Sequence, residues 1–286
     1  MRERPGTVSP ASSLQRDGAR HVPYDERTYF ESHYRATARE GPLDDRQTIG
    51  HISEPEARFH YNAVENSIIR AVLRREPVPT GAMLHAWRLA QQRRRLRLLD
   101  VGAGTGHWVD FFRETFFVGD VVAVEIVGEL ASWLREKYAG QPVQVVETDI
   151  ADPCDLGGRF DWISAIGVMF HIVDDDRWRA ALRHLSALLN PGGLLFVGGD
   201  FGATTRDVQF HRVDRFSSWA DHNRAEAPAD ELRVNKRVRS LAMWDEESRA
   251  AGLRIADLIR TDSDRQVLTP ENDLLVLVRP DALASG

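Results

Sequence analysis

The sequence predicts an α/β fold in which a doubly wound, largely parallel sheet carries helices on both faces. Between residues 95 and 200, short apolar segments alternate with amphipathic helical segments, and this alternation favours parallel strands joined by right-handed crossovers. The 286 residues are 42% hydrophobic and 28% charged, a balance typical of a globular protein. A chain of this length is expected to form one core with additions rather than two large domains.

The first 94 residues are expected to lie outside the sheet. Residues 1–23 are polar and show no periodicity, which predicts a flexible tail. Residues 24–94 are expected to be helical, because Ser53–Glu56 matches a helix capping box and apolar residues recur behind it at helical spacing. The apolar face consists of Ala57, Tyr61, Val64, Ile68 and Val72. A second short helix is expected at 83–90.

Seven strand-like segments follow and account for the sheet. They are 95–101, 120–126, 142–150, 160–170, 194–199, 254–261 and 273–280. The helices expected between them have apolar stripes that begin at Trp108, Leu130, Trp178 and Trp244. The alternation breaks after the fifth strand, so residues 201–243 are predicted to be an insertion. The last two strands are expected to close the sheet.

The densest chemical signal is LLDVGAGTGHW at 98–108, where a strand ends in Asp100 and three alternating glycines precede a helix. Glycines allow a tight turn and let the backbone approach a ligand. The spacing is G-x-G-x-G rather than the G-x-G-x-x-G that wraps a pyrophosphate. A carboxylate would repel a pyrophosphate, so the pattern favours a ligand that carries an ammonium or sulfonium group at this point.

Two more acids follow neighbouring strands. Glu125 ends the second strand, nineteen residues after Gly106, where an acid can accept both hydroxyls of a ribose. Asp149 and Ile150 follow the third strand and offer an acceptor for an exocyclic amine beside an apolar cover for a ring. A ribose, an adenine and a cationic amino-acid tail together describe S-adenosylmethionine. The Asp149–Asp152 segment also fits a plain helix cap, and this alternative stays open.

The motifs LLDVGAGTGHW, VVAVEI, VETDI, FDWISAIGVMFHIVDDD and LLNPGGLLFV resemble, in order and spacing, those of class I S-adenosylmethionine-dependent methyltransferases of the small-molecule type. The resemblance covers about 98–200. It implies a seven-stranded Rossmann-like domain over 95–286, S-adenosyl-L-methionine as cofactor and a helical lid over 24–94. We expect the insertion at 201–243 to determine substrate specificity. The resemblance assigns to the cofactor Asp100, Gly102, Ala103, Gly104, Glu125, Ile126, Asp149, Ile150, Ile166 and Gly167.

His171 is the candidate catalytic residue. It follows the fourth strand, and similar small-molecule methyltransferases often carry a histidine there. An imidazole with its ordinary pKa near ~6.5 suits a general base for a hydroxyl acceptor. The alternative, that His171 only hydrogen-bonds the backbone or shapes the pocket, stays open.

Two clusters of charge have structural alternatives. The acids Asp174, Asp175, Asp176 and Asp200 carry the oxygen ligands that Mg²⁺ prefers, but a helix cap at Asp174 or Asp175 is favoured, and no metal is expected. Within the insertion, one face of a predicted strand would present Arg233, Asn235, Arg237 and Arg239. That face suits either an anionic substrate or solvent with nearby acids as counter-charges.

Composition narrows the class of function. The net charge of −6 disfavours nucleic-acid binding, and the segment after the fourth strand lacks the proline-proline-aromatic motif of base methyltransferases. No apolar run is long enough for a membrane helix, no secretory signal is recognisable and the single Cys154 excludes an internal disulfide. Together with the resemblance, these features predict a soluble, cytoplasmic enzyme that methylates an oxygen or nitrogen of a small molecule. A protein or peptide methyltransferase and a noncatalytic S-adenosylmethionine-binding module are the alternatives, and the oligomeric state is open.

Overall fold

A computed structural model describes residues 20–21, 25–37, 54–75, 95–198, 208–212, 231–259 and 273–281. The strands are β1 (Arg20–His21), β2 (Arg97–Val101), β3 (Asp120–Glu125), β4 (Val143–Glu147), β5 (Phe160–Ile166), β6 (Leu189–Gly198), β7 (Val208–Arg212), β8 (Glu231–Val238), β9 (Arg254–Ile259) and β10 (Leu274–Val278). The α-helices are α1 (Glu26–Thr37), α2 (Glu54–Leu73), α3 (His107–Phe116), α4 (Gly128–Lys137), α5 (Asp175–Leu188) and α6 (Leu241–Ala250).

Seven of the strands form one mixed sheet in the order β4-β3-β2-β5-β6-β10-β9. The first five of these pair in parallel, and β10 runs antiparallel to both β6 and β9. The predicted doubly wound α/β fold is therefore confirmed. The central strands are mostly apolar because both faces of the sheet are covered, and Asp100 and Glu125 are buried exceptions near the strand ends.

The two faces are covered by different helices. On one face, Ile68 of α2 and Phe112 of α3 join a buried cluster with Phe196 of the sheet. On the other face, Trp178 of α5 meets Trp244 of α6 edge to face, with ring centroids 4.8 Å apart. The helical face predicted for residues 57–72 thus packs against the sheet itself.

A second sheet contains strands from the insertion and was not predicted as a unit. Its order is β1-β8-β7, with β8 antiparallel to β7 and parallel to the short β1. Arg20 and His21, which lie in the segment predicted as a tail, pair with Glu231 and Leu232. The insertion is therefore joined to the N-terminal part of the chain by backbone pairing.

Several boundaries differ from those predicted. The fourth sheet strand ends at Ile166 rather than at residue 170, and Met169–His171 forms a 3-10 turn. The helix predicted from Trp244 begins three residues earlier, because the hydroxyl of Ser240 accepts a hydrogen bond from the Met243 backbone N–H at 3.2 Å. The strand predicted from residue 194 begins at 189.

The helix predicted at 83–90 lies outside the residues that the structure describes. Among the helices that are described, none combines the length and the hydropathy required to span a bilayer.

Candidate functional site

The predicted cofactor residues come together at the carboxyl edge of four adjacent strands. Asp149 follows β4, Glu125 ends β3, Asp100 lies near the end of β2 and Ile166 ends β5. These strands are neighbours in the order β4-β3-β2-β5. The chain winds in opposite directions from β2 and β5, and in such sheets the crevice beyond the strand ends at this point is the usual ligand site.

The glycine loop, residues 102–106, is a tight turn held by backbone bonds. The N–H groups of Gly102 and Ala103 both donate to the carbonyl of Val124, at 2.8 and 3.0 Å. Gly102 and Gly104 have φ angles of +66° and +54°, in the left-handed region that favours glycine. The backbone conformation therefore favours glycine at these two positions, whatever the ligand.

Glu125 connects the end of β3 to the glycine loop. Its Oε2 accepts from the Gly104 N–H at 2.9 Å and its Oε1 accepts from the Val127 N–H at 3.0 Å. Burial raises the pKa of this carboxyl, and the backbone donors act in the opposite direction. A carboxylate has about four acceptor positions, so two bonds leave capacity for ligand hydroxyls.

Asp100 is completely buried beside the loop. Neither of its carboxylate oxygens has a hydrogen bond of standard geometry to the described residues. Burial raises its pKa to about 7, although its cross-strand neighbour Ser164 acts to lower it. A buried carboxyl group without a strong donor is costly for a fold, and such groups are often found where a ligand supplies the missing partner.

Asp149 makes two contacts that fix its side chain. Its Oδ1 accepts from the Ala151 N–H at 2.8 Å, and its Oδ2 pairs with Arg177 at 2.6 Å. The segment forms a turn, but no helix begins in the described residues between β4 and β5, so the helix-cap interpretation of Asp149 is wrong. The role toward an adenine stays a prediction. Sequence reasoning missed Arg177, because nothing in the sequence spacing links α5 to the end of β4.

His171 ends the 3-10 turn beyond β5 and is buried, with 9% of its surface exposed. Its backbone N–H donates to the carbonyl of Val168 at 2.8 Å, which closes the turn. The ring of Phe30, from α1, meets the imidazole edge to face with centroids 4.9 Å apart. The ring of Phe170 lies 4.4 Å away on the same turn.

Helix α1 crosses the carboxyl edge of the sheet. Arg27 lies 3.2 Å from Glu147 at the end of β4, and Tyr34 packs against Val127 and Leu130. Burial, and secondarily the charge of Glu125, raise the pKa of the Tyr34 phenol well above its usual value. The sequence predicted a helix here, but its contacts with the ends of β3 and β4 were not foreseeable, because no recognisable motif accompanies them.

The strand β8 is bound to the start of α5 through Asp175. Arg237 donates to both carboxylate oxygens of Asp175, at 2.7 and 2.8 Å. Arg239 donates to Asp175 Oδ1 at 2.8 Å and to the carbonyl of Ile172 at 2.9 Å, and its guanidinium lies over the ring of Trp178 at 4.4 Å. Arg237 and Arg239 therefore do share one face, as predicted. The acid that balances their charge, Asp175, lies outside the insertion.

The residues around Asp175 form a small depression and a helix cap. The depression is lined by Met169, Phe170, Val197, Gly198, Arg237, Arg239 and Trp244. Asp174 caps α5 by accepting from the Arg177 N–H at 2.8 Å, as the structural alternative predicted. Asp200 and the side chains of Arg233 and Asn235 lie outside the described part. Within the ranges that the structure describes, no three potential metal ligands cluster.

These residues fit the predicted cofactor. Asp100 offers a buried carboxyl group for a cationic tail, Glu125 retains acceptor capacity for ribose hydroxyls, and a side-chain atom added at Gly167 would meet nothing within 4 Å. The open space at Gly167 lies at the end of β5, next to the strand that carries Asp100. The carboxyl edge of the sheet thus combines a buried carboxyl group, hydrogen-bond acceptors and open space for a ligand.

A protein-family model described as a methyltransferase domain matches residues 79–257. A curated relative, an uncharacterised protein from Synechococcus sp., is 32% identical over 127 residues, which are 42% of this chain. The chain spans only 30% of that relative's length.

Two solved structures share the fold. The CcbJ methyltransferase from Streptomyces caelestis is 18% identical, with a TM-score of 0.52 and coverage of 90% of this chain and 100% of its own. The [4+2]-cyclase SpnF is 16% identical, with a TM-score of 0.53 and coverage of 93% and 100%. One of these proteins is described as a methyltransferase and the other as a cyclase, so the fold alone does not decide the reaction.

Proposed function

We propose, since this chain belongs to the family of methyltransferase domains, that it transfers a methyl group from S-adenosylmethionine to an oxygen or nitrogen of a small molecule. The observation that carries the proposal is the bond between Glu125 and the Gly104 N–H. It unites the ribose acceptor and the glycine loop at one edge of the sheet, beside the buried Asp100. Each of these three features suits a different part of the same cofactor.

The cofactor residues would act by binding and orientation. The ionised Asp100 favours the cationic tail, and Glu125 accepts from the ribose hydroxyls with the capacity that its two backbone bonds leave. Ile126 and Ile150 follow neighbouring strands and offer apolar surface for the adenine. Asp149, whose Oδ2 pairs with Arg177, would accept from the adenine amine.

The methyl acceptor would bind near His171. S-adenosylmethionine, when bound, supplies an electrophilic methyl group on a sulfonium sulfur. An in-line displacement depends mainly on alignment of the acceptor atom and on removal of its proton. His171 would accept that proton, while the rings of Phe30 and Phe170 limit the orientation of its imidazole.

Helix α1 is proposed as the covering part of the lid. Phe30 contacts His171, and Arg27 contacts the end of β4, so this helix touches the proposed acceptor and adenine sides together. A cover in this position would exclude water from the transfer. Helix α2 packs on a face of the sheet instead, and residues 201–243 are proposed to select the acceptor.

Isothermal calorimetry with S-adenosylmethionine and S-adenosylhomocysteine tests the cofactor assignment. Glu125→Ala should weaken binding of both by about 1–3 kcal/mol, the scale of hydrogen bonds to a charged group. Gly104→Val should weaken it as well, because a β-branched residue is strained at the positive φ of this position. Glu136→Gln, an exposed acid on α4, is the control. Wild-type affinity in both site variants would contradict the assignment.

A substrate panel then separates the classes of acceptor. Turnover of small hydroxyl or amine compounds supports the proposal, whereas turnover of proteins or peptides alone would favour the alternative substrate class. Cofactor binding without turnover of any acceptor would favour a noncatalytic binding module. The net charge of −6 makes nucleic acid the least favoured acceptor.

A further inference from the structure

The chain contains thirty-five arginines and only two lysines, Lys137 and Lys236. Lys137 is the last residue of α4 and lies against the glycine loop. Its ammonium donates to the carbonyl of Thr105 at 2.8 Å and lies 2.8 Å from Asp110 Oδ2. Lys137 is thus one of only two positions in the sequence where the basic residue is lysine instead of arginine, and its ammonium contacts both the glycine loop and Asp110.

Tyr138, the next residue, makes the companion contact. Its hydroxyl lies 2.9 Å from the carbonyl of Gly106 and 2.9 Å from Asp110 Oδ1, and it donates its single hydrogen to one or the other. Burial, followed by the charge of Asp110, raises the pKa of this phenol far above its usual value, so it stays a donor. A side-chain atom added at Gly106 would collide with the Tyr138 hydroxyl, which shows how closely the ring supports the loop.

Three consecutive loop residues are therefore bound by one βα unit. The N–H of Gly104 donates to Glu125 at the end of β3, the carbonyl of Thr105 accepts from Lys137, and the carbonyl of Gly106 lies within hydrogen-bond distance of the Tyr138 hydroxyl. The loop is thus contacted by Lys137 and Tyr138 at the C-terminal end of α4, and by Glu125, which lies three residues before α4 begins. The same unit that presents the ribose acceptor also fixes the backbone of the loop.

We propose that Lys137 and Tyr138 are positioning residues that hold the glycine loop in its cofactor-binding conformation without touching the cofactor. This inference rests on the proposed cofactor site. A compact ammonium with three donors can meet a carbonyl, a carboxylate and the face of Trp133, 5.2 Å away, at the same time. The planar fork of arginine favours two parallel bonds to one carboxylate, so it would bind Asp110 and release the Thr105 carbonyl.

Calorimetry on the full chain with S-adenosylhomocysteine as the probe tests the proposal. Lys137→Met and Lys137→Arg should each weaken binding about fivefold, the scale of one partly buried hydrogen bond to a charged group. Tyr138→Phe should weaken it about threefold. Arg135→Met, a change to an exposed cation on the same helix, should stay within about twofold of wild type.

A second measurement separates positioning from general stability. Hydrogen–deuterium exchange of residues 102–106 in the cofactor-free protein should rise in Lys137→Met while α4 keeps its wild-type exchange, and the melting temperature should fall no further than in Arg135→Met. Wild-type affinity in Lys137→Met, full rescue by Lys137→Arg, or a loss of affinity matched by general destabilisation would each overturn the proposal. If the wild-type chain itself does not bind the probe, the proposed function fails; if it binds and Lys137→Met equals it, only this inference fails.

Discussion

The cofactor side and the acceptor side of the site are built in different ways. On the cofactor side, Glu125 and Lys137 reach loop residues that lie 21 and 32 positions earlier in the chain. On the acceptor side, Arg237 reaches Asp175 across 62 positions, and Arg239 reaches the Ile172 carbonyl across 67. The first set of contacts arises within successive βα units, whereas the second requires an insertion to fold back onto the sheet. The difference favours a proposed cofactor site that is part of the fold and a proposed acceptor site that can vary with the insertion.

The largest effect that would separate the two sides is expected at His171. His171→Ala should lower turnover by about 10²–10⁴-fold, the usual contribution of a general base, and should leave affinity for S-adenosylmethionine unchanged. A pH–rate profile of both proteins, with an acceptor from the substrate panel, is the measurement. The rise in rate near neutral pH should disappear in the variant.

His171→Gln serves as the matched control for this prediction. Glutamine keeps a polar side chain against Phe30 but cannot act as a base near neutral pH. If His171 only shapes the pocket, His171→Gln should recover much of the rate, and any loss should be insensitive to pH. Turnover equal to wild type in His171→Ala would remove the histidine from the mechanism altogether.

The sequence predicted the cofactor side in greater detail than the acceptor side, for a physical reason. Regular alternation of strands and helices determines which strand ends are neighbours, so the meeting of Asp100, Glu125 and Asp149 follows from their positions along the chain. The partner of Arg237 and Arg239 did not follow, because a strand's alternation specifies which face a side chain occupies and not what that face meets. The docking of Phe30 on His171 was equally hidden, since it depends on the path of the chain before β2.

A smaller effect is expected at Asp100, and it tests the cofactor side of the site. Asp100→Asn should raise the free energy of unfolding of the cofactor-free chain at pH 8 by about 1–3 kcal/mol, because it removes a buried charge at some cost in burying an amide. The same change should weaken binding of S-adenosylmethionine. Chemical denaturation from pH 4 to pH 8, together with calorimetry, measures both.

The sign of the pH dependence follows from the raised pKa of Asp100, from 3.8 to about 7. Below pH ~4 both the folded and the unfolded wild-type chain hold this proton. Between pH ~4 and ~7 only the folded chain holds it, so wild-type stability falls relative to Asp100→Asn as the pH rises, and the difference levels off above pH ~7. Glu136→Gln, at an exposed acid on α4, is the control variant. An Asp100 variant that is less stable than wild type at pH 8 would refute the buried-charge argument.

The smallest effect is expected at Asp175, and it bears on the acceptor side alone. Asp175→Asn removes the carboxylate that Arg237 and Arg239 share, so the free energy of unfolding should fall by about 1 kcal/mol, a modest value because 31% of this side chain is exposed. Turnover should fall, because β8 no longer holds the turn next to His171, while affinity for S-adenosylmethionine should remain that of wild type.

The pH dependence and a neighbouring residue provide the checks on Asp175. Burial raises the pKa of this carboxyl, but the hydrogen bonds from Arg239 and Arg237 outweigh burial and the net pKa is lowered. Its contribution to stability is therefore present above the unfolded value of 3.8 and is lost as the pH falls through the lower folded value, so wild type and variant should converge in acid. Asp176→Asn alters the adjacent, 93% exposed acid, which pairs only with Arg179 among the described ion pairs. An equal loss of turnover in Asp176→Asn, or a loss of cofactor affinity in Asp175→Asn, would mean that the two sides of the site are not separately anchored.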